Sequence, residues 1–263
     1  MSKTPTLAVL ASLSLRLGAA GPTDSPAPPG RGYVAADILA RSAVAYAAPQ
    51  SYADSGTLTQ EHATTTRSKF RTRFVRPARN FFLEFQALHN EARNGGRLDL
   101  SMYHSVFWMR HGDLQSYGAH EQSHEVFPAD GGGQVSAIRG GEYRTVGTSV
   151  LVPSLLYSKS GLFGVIQELE EPTEAGFESV GGHRCFKILG IARSHYPNGR
   201  VFKVRPATVW IDAETFLIRK VFTDTPKGAA MNVVARVTYL YDPRPNPLLH
   251  DSLFAFTVPG SQP

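Results

Sequence analysis

Residues 183–222, HRCFKILGIARSHYPNGRVFKVRPATVWIDAETFLIRKVF, narrow what the chain can fold into more than any other stretch. Three apolar runs, 185–191, 201–211 and 216–222, are each rich in Val, Ile, Phe or Trp. The turn signals Pro197-Asn198-Gly199 and Asp212-Ala213-Glu214 separate them. Gaps this short leave no room for a crossover helix, so neighbouring runs must pair antiparallel. Nothing in this meander resembles a catalytic constellation. It reads as the wall of a sheet, and function is expected in what that sheet encloses.

The same period-2 pattern extends through most of the chain. In the run 70–77, Phe70, Thr72 and Phe74 face one way and Arg71 and Arg73 the other. Pro77 turns the chain, and Phe81, Leu83 and Phe85 then share a face opposite Glu84 and Gln86. In the run 101–110, Val106 and Trp108 alternate with Phe107 and Met109, which predicts a strand covered on both sides. His111-Gly112-Asp113 is a hairpin turn into a further strand, 114–119. Residues 52–66 are polar and Thr-rich and predict an exposed strand, or a pair broken at Ser55-Gly56. Period-2 patterns also mark 233–241 and a last strand carrying Phe254, Phe256 and Val258, with the Pro-rich DPRPNP turn between them. Two segments are helical by their pattern. In 34–48 a stripe of Ile38, Leu39, Ser42, Ala45 and Tyr46 is closed by Pro49. In 130–160 glycines precede the apolar run VLVPSLLY.

An apolar content of 42% supports a substantial core, and 19% charged residues is too few for a disordered chain of 263 residues. The net charge is +5 and the isoelectric point about 9.4. The basic cluster 67–79 interleaves its cations with Phe and Val, so it reads as a solvated strand face and not as a nucleic-acid-binding arm. The charge suits an anionic membrane surface or an acidic amphiphile. With one cysteine, Cys185, no intrachain disulfide or Cys-based zinc site is possible, and Cys185 reads as a small buried hydrophobe. Residues 1–20 read as a secretory signal: Lys3, an apolar run 7–15, and small residues at Gly18-Ala19-Ala20, interrupted by Pro5 and Arg16. A disordered leader is the alternative. Residues 21–32 are a Pro-rich linker and 33–263 one domain. No other segment has the ~18 apolar residues that span a bilayer.

The sharpest catalytic motif is His120-Glu121-Gln122-Ser123-His124, a literal H-E-x-x-H, with Glu142 at a spacing near that of a third zinc ligand. Gly118 and Pro128 leave space for only about two helical turns, and no apolar stripe would bury them. The match is read as fortuitous. A zinc hydrolase through His120, His124 and Glu142 stays as the third alternative. No G-x-S-x-G and no phosphate-binding glycine loop occurs. Asp212 reads as a turn former whose carboxylate bonds the backbone two residues on.

This arrangement resembles the LolA/LolB superfamily of periplasmic lipoprotein carriers. The residues that carry the resemblance are Gly182-His183-Arg184-Cys185-Phe186-Lys187-Ile188, Val209-Trp210-Ile211-Asp212 with Leu217-Ile218-Arg219-Lys220, FRTRFVRP at 70–77, Val152-Pro153-Ser154-Leu155-Leu156 and Phe256-Thr257-Val258-Pro259. It implies a mainly β (α+β) fold: a curved, half-open antiparallel β-barrel with an N-terminal helix and a mid-chain helical insert packed on the concave side. It also implies a hydrophobic cavity for acyl chains. The expected function is that of a non-enzymatic, monomeric periplasmic or secreted carrier of a lipid or lipoprotein acyl chain, without cofactor and without nucleic acid. The alternative is a sensory or interaction module of the same fold binding a membrane-protein partner. Phe70, Phe74, Phe81, Leu83, Phe85, Val106, Trp108 and Trp210 are expected as wall, and Leu151, Leu155 and Leu156 as lid.

Overall fold

The computed structural model describes residues 34–62, 64–76, 80–92, 95–128, 169–195, 201–224 and 236–260. The helical insert expected at 130–160 lies outside them. Among the described residues one α-helix, α1 (Ala35–Ala47), precedes thirteen strands. The first seven are β1 (Ser51–Glu61), β2 (Thr64–Val75), β3 (Asn80–Ala92), β4 (Arg97–Asp99), β5 (His104–Arg110), β6 (Leu114–Gly118) and β7 (Ser123–Phe127). The remaining six are β8 (Leu169–Val180), β9 (His183–His195), β10 (Val201–Asp212), β11 (Ile218–Asp224), β12 (Arg236–Tyr241) and β13 (Arg244–Pro245).

All strands join one antiparallel sheet in the order β7-β6-β5-β3-β2-β1-β12-β11-β10-β9-β8, with β4 pairing β3 and β13 pairing β1. Consecutive strands are neighbours almost throughout, as the short connections require. Among the described residues the long-range junction falls on β1, which pairs β12 in register from Gly56 opposite Tyr241 to Glu61 opposite Arg236 and the short β13 at Tyr52 and Ala53. That junction joins two meanders into a single layer. The sheet does not close, and β7 and β8 are its edges among the described residues.

Its curvature follows from its packing. α1 contacts the edge strand β8 and, through Tyr46, also Tyr52 of β1 and Ile218 of β11. Laid flat at ~4.8 Å per strand, β8 and β1 would stand about 24 Å apart. A helix about 10 Å across cannot bridge that distance. The layer is therefore bent around α1, a curved open barrel whose inner face carries the main core. The stripe of α1 lies as its sequence predicts: Ala35, Ile38, Leu39, Ser42 and Tyr46 are buried. Pro49 follows its end, and Arg76 caps it, its Nη2 donating to Tyr46 O at 2.8 Å and its Nε to Pro49 O at 2.9 Å.

Two expectations fail. The strand at 52–66 is not broken at Ser55-Gly56; β1 runs through it, and Tyr52, Asp54 and Leu58 are buried. Gly56 is there because two neighbours occupy its side-chain space. A Cβ would fall 2.1 Å from Leu240 O and 2.3 Å from the Phe70 ring. The alternation of Phe254, Phe256 and Val258 does not make a strand either. Residues 251–254 form a 3-10 turn, the following residues are irregular, and all three apolar side chains pack on the outer face of the sheet. That face holds a second core of Phe82, Val106, Trp108, Tyr117 and Phe254. Period 2 here reflects three anchors on a covering segment with no ladder of its own.

Candidate functional site

Along the inner face, successive strands place apolar side chains in register. Tyr52 faces Phe74, Phe74 faces Phe81, and Phe81 faces Met109. Phe70 faces Phe85, while Leu83 faces Phe107. Thus Phe70, Phe74, Phe81, Leu83 and Phe85 share one wall, as the period-2 pattern implies. Val209, Ile211, Phe186, Ile188, Val221, Val237 and Tyr239 continue it through β9–β12. Leu151, Leu155 and Leu156 lie outside the described residues.

Val106, Trp108 and Trp210 are not part of this wall. In a strand alternate side chains point to opposite faces, so Val106 and Trp108 leave the face held by Phe107 and Met109 and enter the outer core. Trp210 likewise opposes Val209 and Ile211. Its ring lies under the ammonium groups of Lys220, at 4.2 Å, and Lys187, at 5.6 Å, its register partners. Period 2 sets Val106 and Trp108 opposite Phe107 and Met109 without saying which face is inner; the register of Met109 with Phe81 and of Phe107 with Leu83 decides it.

The inner face also carries polar groups. Tyr46 Oη accepts from Ile218 N–H at 3.0 Å, and the Tyr46 and Tyr52 rings meet at 5.8 Å. Tyr52 Oη donates to Asp54 Oδ2 at 2.9 Å, and Asp54 Oδ1 accepts from Asp242 N–H at 3.0 Å. Burial pushes the Asp54 carboxyl up to about 7, against the hydrogen bonds from Tyr52 and Asp242 that favour its charged form. Burial likewise drives both phenols well above their ordinary value. This chain of groups fastens α1 to β1, to β11 and to the turn after β12. On β10, Arg205 shares the face of Ala207 and Val209; its Nη1 donates to Thr223 Oγ1 at 3.4 Å, and burial lowers its pKa. Neither feature stands out by residue type. Parity shows both: Tyr52-Asp54 and Arg205-Ala207-Val209-Ile211 each alternate onto a single face.

The catalytic candidates take structural positions. His120, Glu121 and Gln122 form the turn between β6 and β7, with Gln122 at φ 50°, and His124 lies on β7. His120 packs against Tyr103, with ring centres 4.4 Å apart. His124 stacks on Trp108 at 5.7 Å and meets Gln115 Oε1 at 3.1 Å. The H-E-x-x-H is therefore not helical, and its histidines do not share a helix face. Glu142 lies outside the described residues, among which no cluster of three His, Cys, Asp or Glu is placed to hold a metal. Asp212 Oδ1 accepts from Glu214 N–H at 3.0 Å and Thr215 N–H at 3.1 Å, the turn-forming role its sequence implies. Its Oδ2 meets Arg219 Nε at 3.1 Å and His183 Nδ1 at 3.0 Å. Burial would raise this carboxyl, but those backbone donors and Arg219 outweigh it and hold it below its ordinary value. Burial pushes the Cys185 thiol up to about 11, with Asp212 adding to the effect, so it is protonated and inert at neutral pH. A groove of about 420 Å³ between β1, β2 and β3 is lined by Ser55, Gly56, Thr57, Lys69, Phe70, Arg71, Glu84 and Gln86.

No protein-family model matches the chain, and no curated protein does. Solved structures do. LprF from Mycobacterium bovis is similar at 13% identity over 79% of this chain and 91% of its own, with a TM-score of 0.41. MucB of Pseudomonas aeruginosa, solved with MucA, is similar at 14% identity over 84% of this chain, TM-score 0.40; the match spans 61% of that chain. A LolA superfamily protein from Nitrosomonas europaea matches at 9% identity over 86% of this chain and 99% of its own, TM-score 0.30. The architecture built up above, an open antiparallel barrel bent around an N-terminal helix, rests on this chain's own strand order and packing.

Proposed function

We propose that the protein is a non-enzymatic carrier that holds an acyl chain or another apolar molecule against the inner face of its sheet, in the periplasm or outside the cell. The observation that carries this reading is the extent of that face. From Leu114 on β6 to Leu169 on β8 it is apolar in register across ten strands. A helix of thirteen residues is only about 20 Å long, and α1 turns five buried residues toward the sheet. The wall side chains are buried in the ligand-free protein, so a guest has to displace part of their cover, and an acyl chain gains ~0.8 kcal/mol for each CH₂ it buries there. The inert thiol of Cys185, the turn role of Asp212 and the non-helical H-E-x-x-H support a non-catalytic reading. Among the described residues no helix is long and apolar enough to cross a membrane.

Native mass spectrometry of the purified protein tests the proposal. Co-purified lipid is expected, with a loss of thermal stability on delipidation that added palmitate restores. A clean spectrum together with no stabilisation by any fatty acid or lipid overturns it.

A further inference from the structure

Arg205 is a cation on an apolar wall. Its register partner on β9 is Ala192, and two residues on, Ala207 pairs with Gly190; both alanines belong to the inner core. Thr223 on β11 gives it one hydrogen bond of 3.4 Å, while its Nε is buried and bonded to nothing. Among the described residues no carboxylate pairs with it. The chain does supply partners for its buried guanidinium: Arg219 is held by Asp212 at 3.0 Å and lies 3.6 Å from Asp242. Arg205, half-buried, has five donors and a single long bond, an incomplete arrangement that an oxyanion completes.

The surroundings fit such a group. Beside Arg205 on the inner face stand Ala192, Ala207 and Gly190, the side-chain space of Gly190 being filled by Leu169 and the Glu170 carbonyl, and the Tyr239 phenol lies near enough to act on the charge. Toward the far end of the same strands the inner side chains are Ile188, Phe186, Val209 and Ile211. Ile211 pairs with Ile218, the residue whose N–H meets Tyr46 of α1. From Arg205 to that row is six residues of strand, about 20 Å at ~3.3 Å each. An apolar track of that length therefore runs from an unmatched cation to the anchored helix.

Taking the carrier reading as given, we infer that Arg205 is the head-group anchor of the inner wall, and that the preferred ligand is an anionic amphiphile whose carboxylate or phosphate meets the guanidinium while its chain lies along β9–β12 toward α1. Neutral lipids bind the same wall without this contact. The chemistry is that of a charge-assisted, bidentate hydrogen bond in a partly desolvated site, where a missing partner is costly to both sides.

The test is calorimetric titration of the full chain, delipidated, with two matched pairs: palmitate against methyl palmitate, and palmitoyl-lysophosphatidate against monopalmitoylglycerol. In the wild type at least one acid is expected to bind about tenfold or more tighter than its neutral partner, and the larger ratio names the head group. Arg205→Gln is expected to bring the acids down to the neutral ligands while leaving the neutral affinities in place, and Arg205→Lys to keep part of the preference. The wild-type comparison stands even where a variant folds poorly. Equal binding of acid and neutral partners in the wild type, or a preference that survives Arg205→Gln, overturns the anchor and leaves the carrier intact. Binding of none of the four ligands removes the carrier reading and the anchor with it.

Discussion

At the scale of single residues, Asp54 couples the inner face to pH. Its folded pKa of about 7 stands above the ordinary carboxylate value of 3.8, so the native protein holds this proton more tightly than the unfolded chain. The stabilisation is complete below pH ~4 and is lost as pH rises through about 7. At ~1.4 kcal/mol per unit the whole window is worth about 4 kcal/mol. Glu84 works the other way. The hydrogen bond from His104, with Arg71, holds it at about 2, so its contribution is present above pH ~4.5 and is lost only as pH falls toward 2. The two windows overlap only near pH 4. Asp54→Asn is therefore expected to flatten the fall in unfolding free energy between pH 4 and 7 relative to wild type, as read by urea denaturation at a series of pH values. An unchanged slope would show that Asp54 titrates normally. Residues of this kind are hard to read from a sequence. Asp54 lies in a polar, Thr-rich stretch, and nothing local to it records that Tyr46, 8 positions away in the chain, folds over it. Gly56 misleads for the same reason: a glycine in a strand suggests a break, and only the partner strands reveal the backbone oxygen and the ring that require it.

Elements were more legible, since their signal is the periodicity that burial imposes. The stripe of α1 and the alternation of β2, β3, β5 and β9–β12 each lie within a few residues of where hydrophobic pattern puts them. The sequence is silent on how the helix is fastened. The Tyr46 hydroxyl reaches the N–H of Ile218, 172 residues away, just after the left-handed turn at Phe216. Losing that oxygen leaves a buried backbone donor unmet, at a cost of about 1–3 kcal/mol. Tyr46→Phe keeps the ring and its packing on Tyr52 while removing the hydroxyl that bonds Ile218 N–H and the Tyr52 hydroxyl. The expected result is a loss of that size in urea denaturation and faster amide exchange at Ile218, with the strand amides at Val209 and Val221 still protected. Uniform loss of protection across the sheet would mean that the hydroxyl supports global stability and not the attachment of the helix.

The molecule as a whole is a sheet with two covered faces, and that fact separates its stability from its ligand. The inner face wraps α1, while the outer face of β3, β5 and β6 is closed by the chain after β12. Asp251 pins this segment, accepting from Asn80 Nδ2 at 3.0 Å and pairing with Arg110 and His111, and Arg73 Nη1 donates to Leu253 O at 3.1 Å. Phe254 is fully buried beneath it, in a cluster with Phe82, Val106, Trp108 and Tyr117. Period 2 in the sequence splits β5 into two faces but does not name the inner one: register with Phe81 and Leu83 gives Trp108 to this outer core and not to the hollow. The division has a measurable consequence. Phe254→Ala removes a ring from a closed site and is expected to cost about 3–5 kcal/mol, a large share of a typical domain's 5–15. Because Trp108 stands in the same cluster and Trp210 at a distance from it in the sheet order, the emission of the variant should shift to the red through Trp108 alone, a change that Trp108→Phe abolishes. Binding of palmitate at a temperature where the variant stays folded is expected to match wild type, because no side chain of the inner wall has moved to the outer face. A variant that loses ligand while holding its fold would show that the two faces communicate through the thickness of the sheet, and the inner wall would then no longer be separable from its cover.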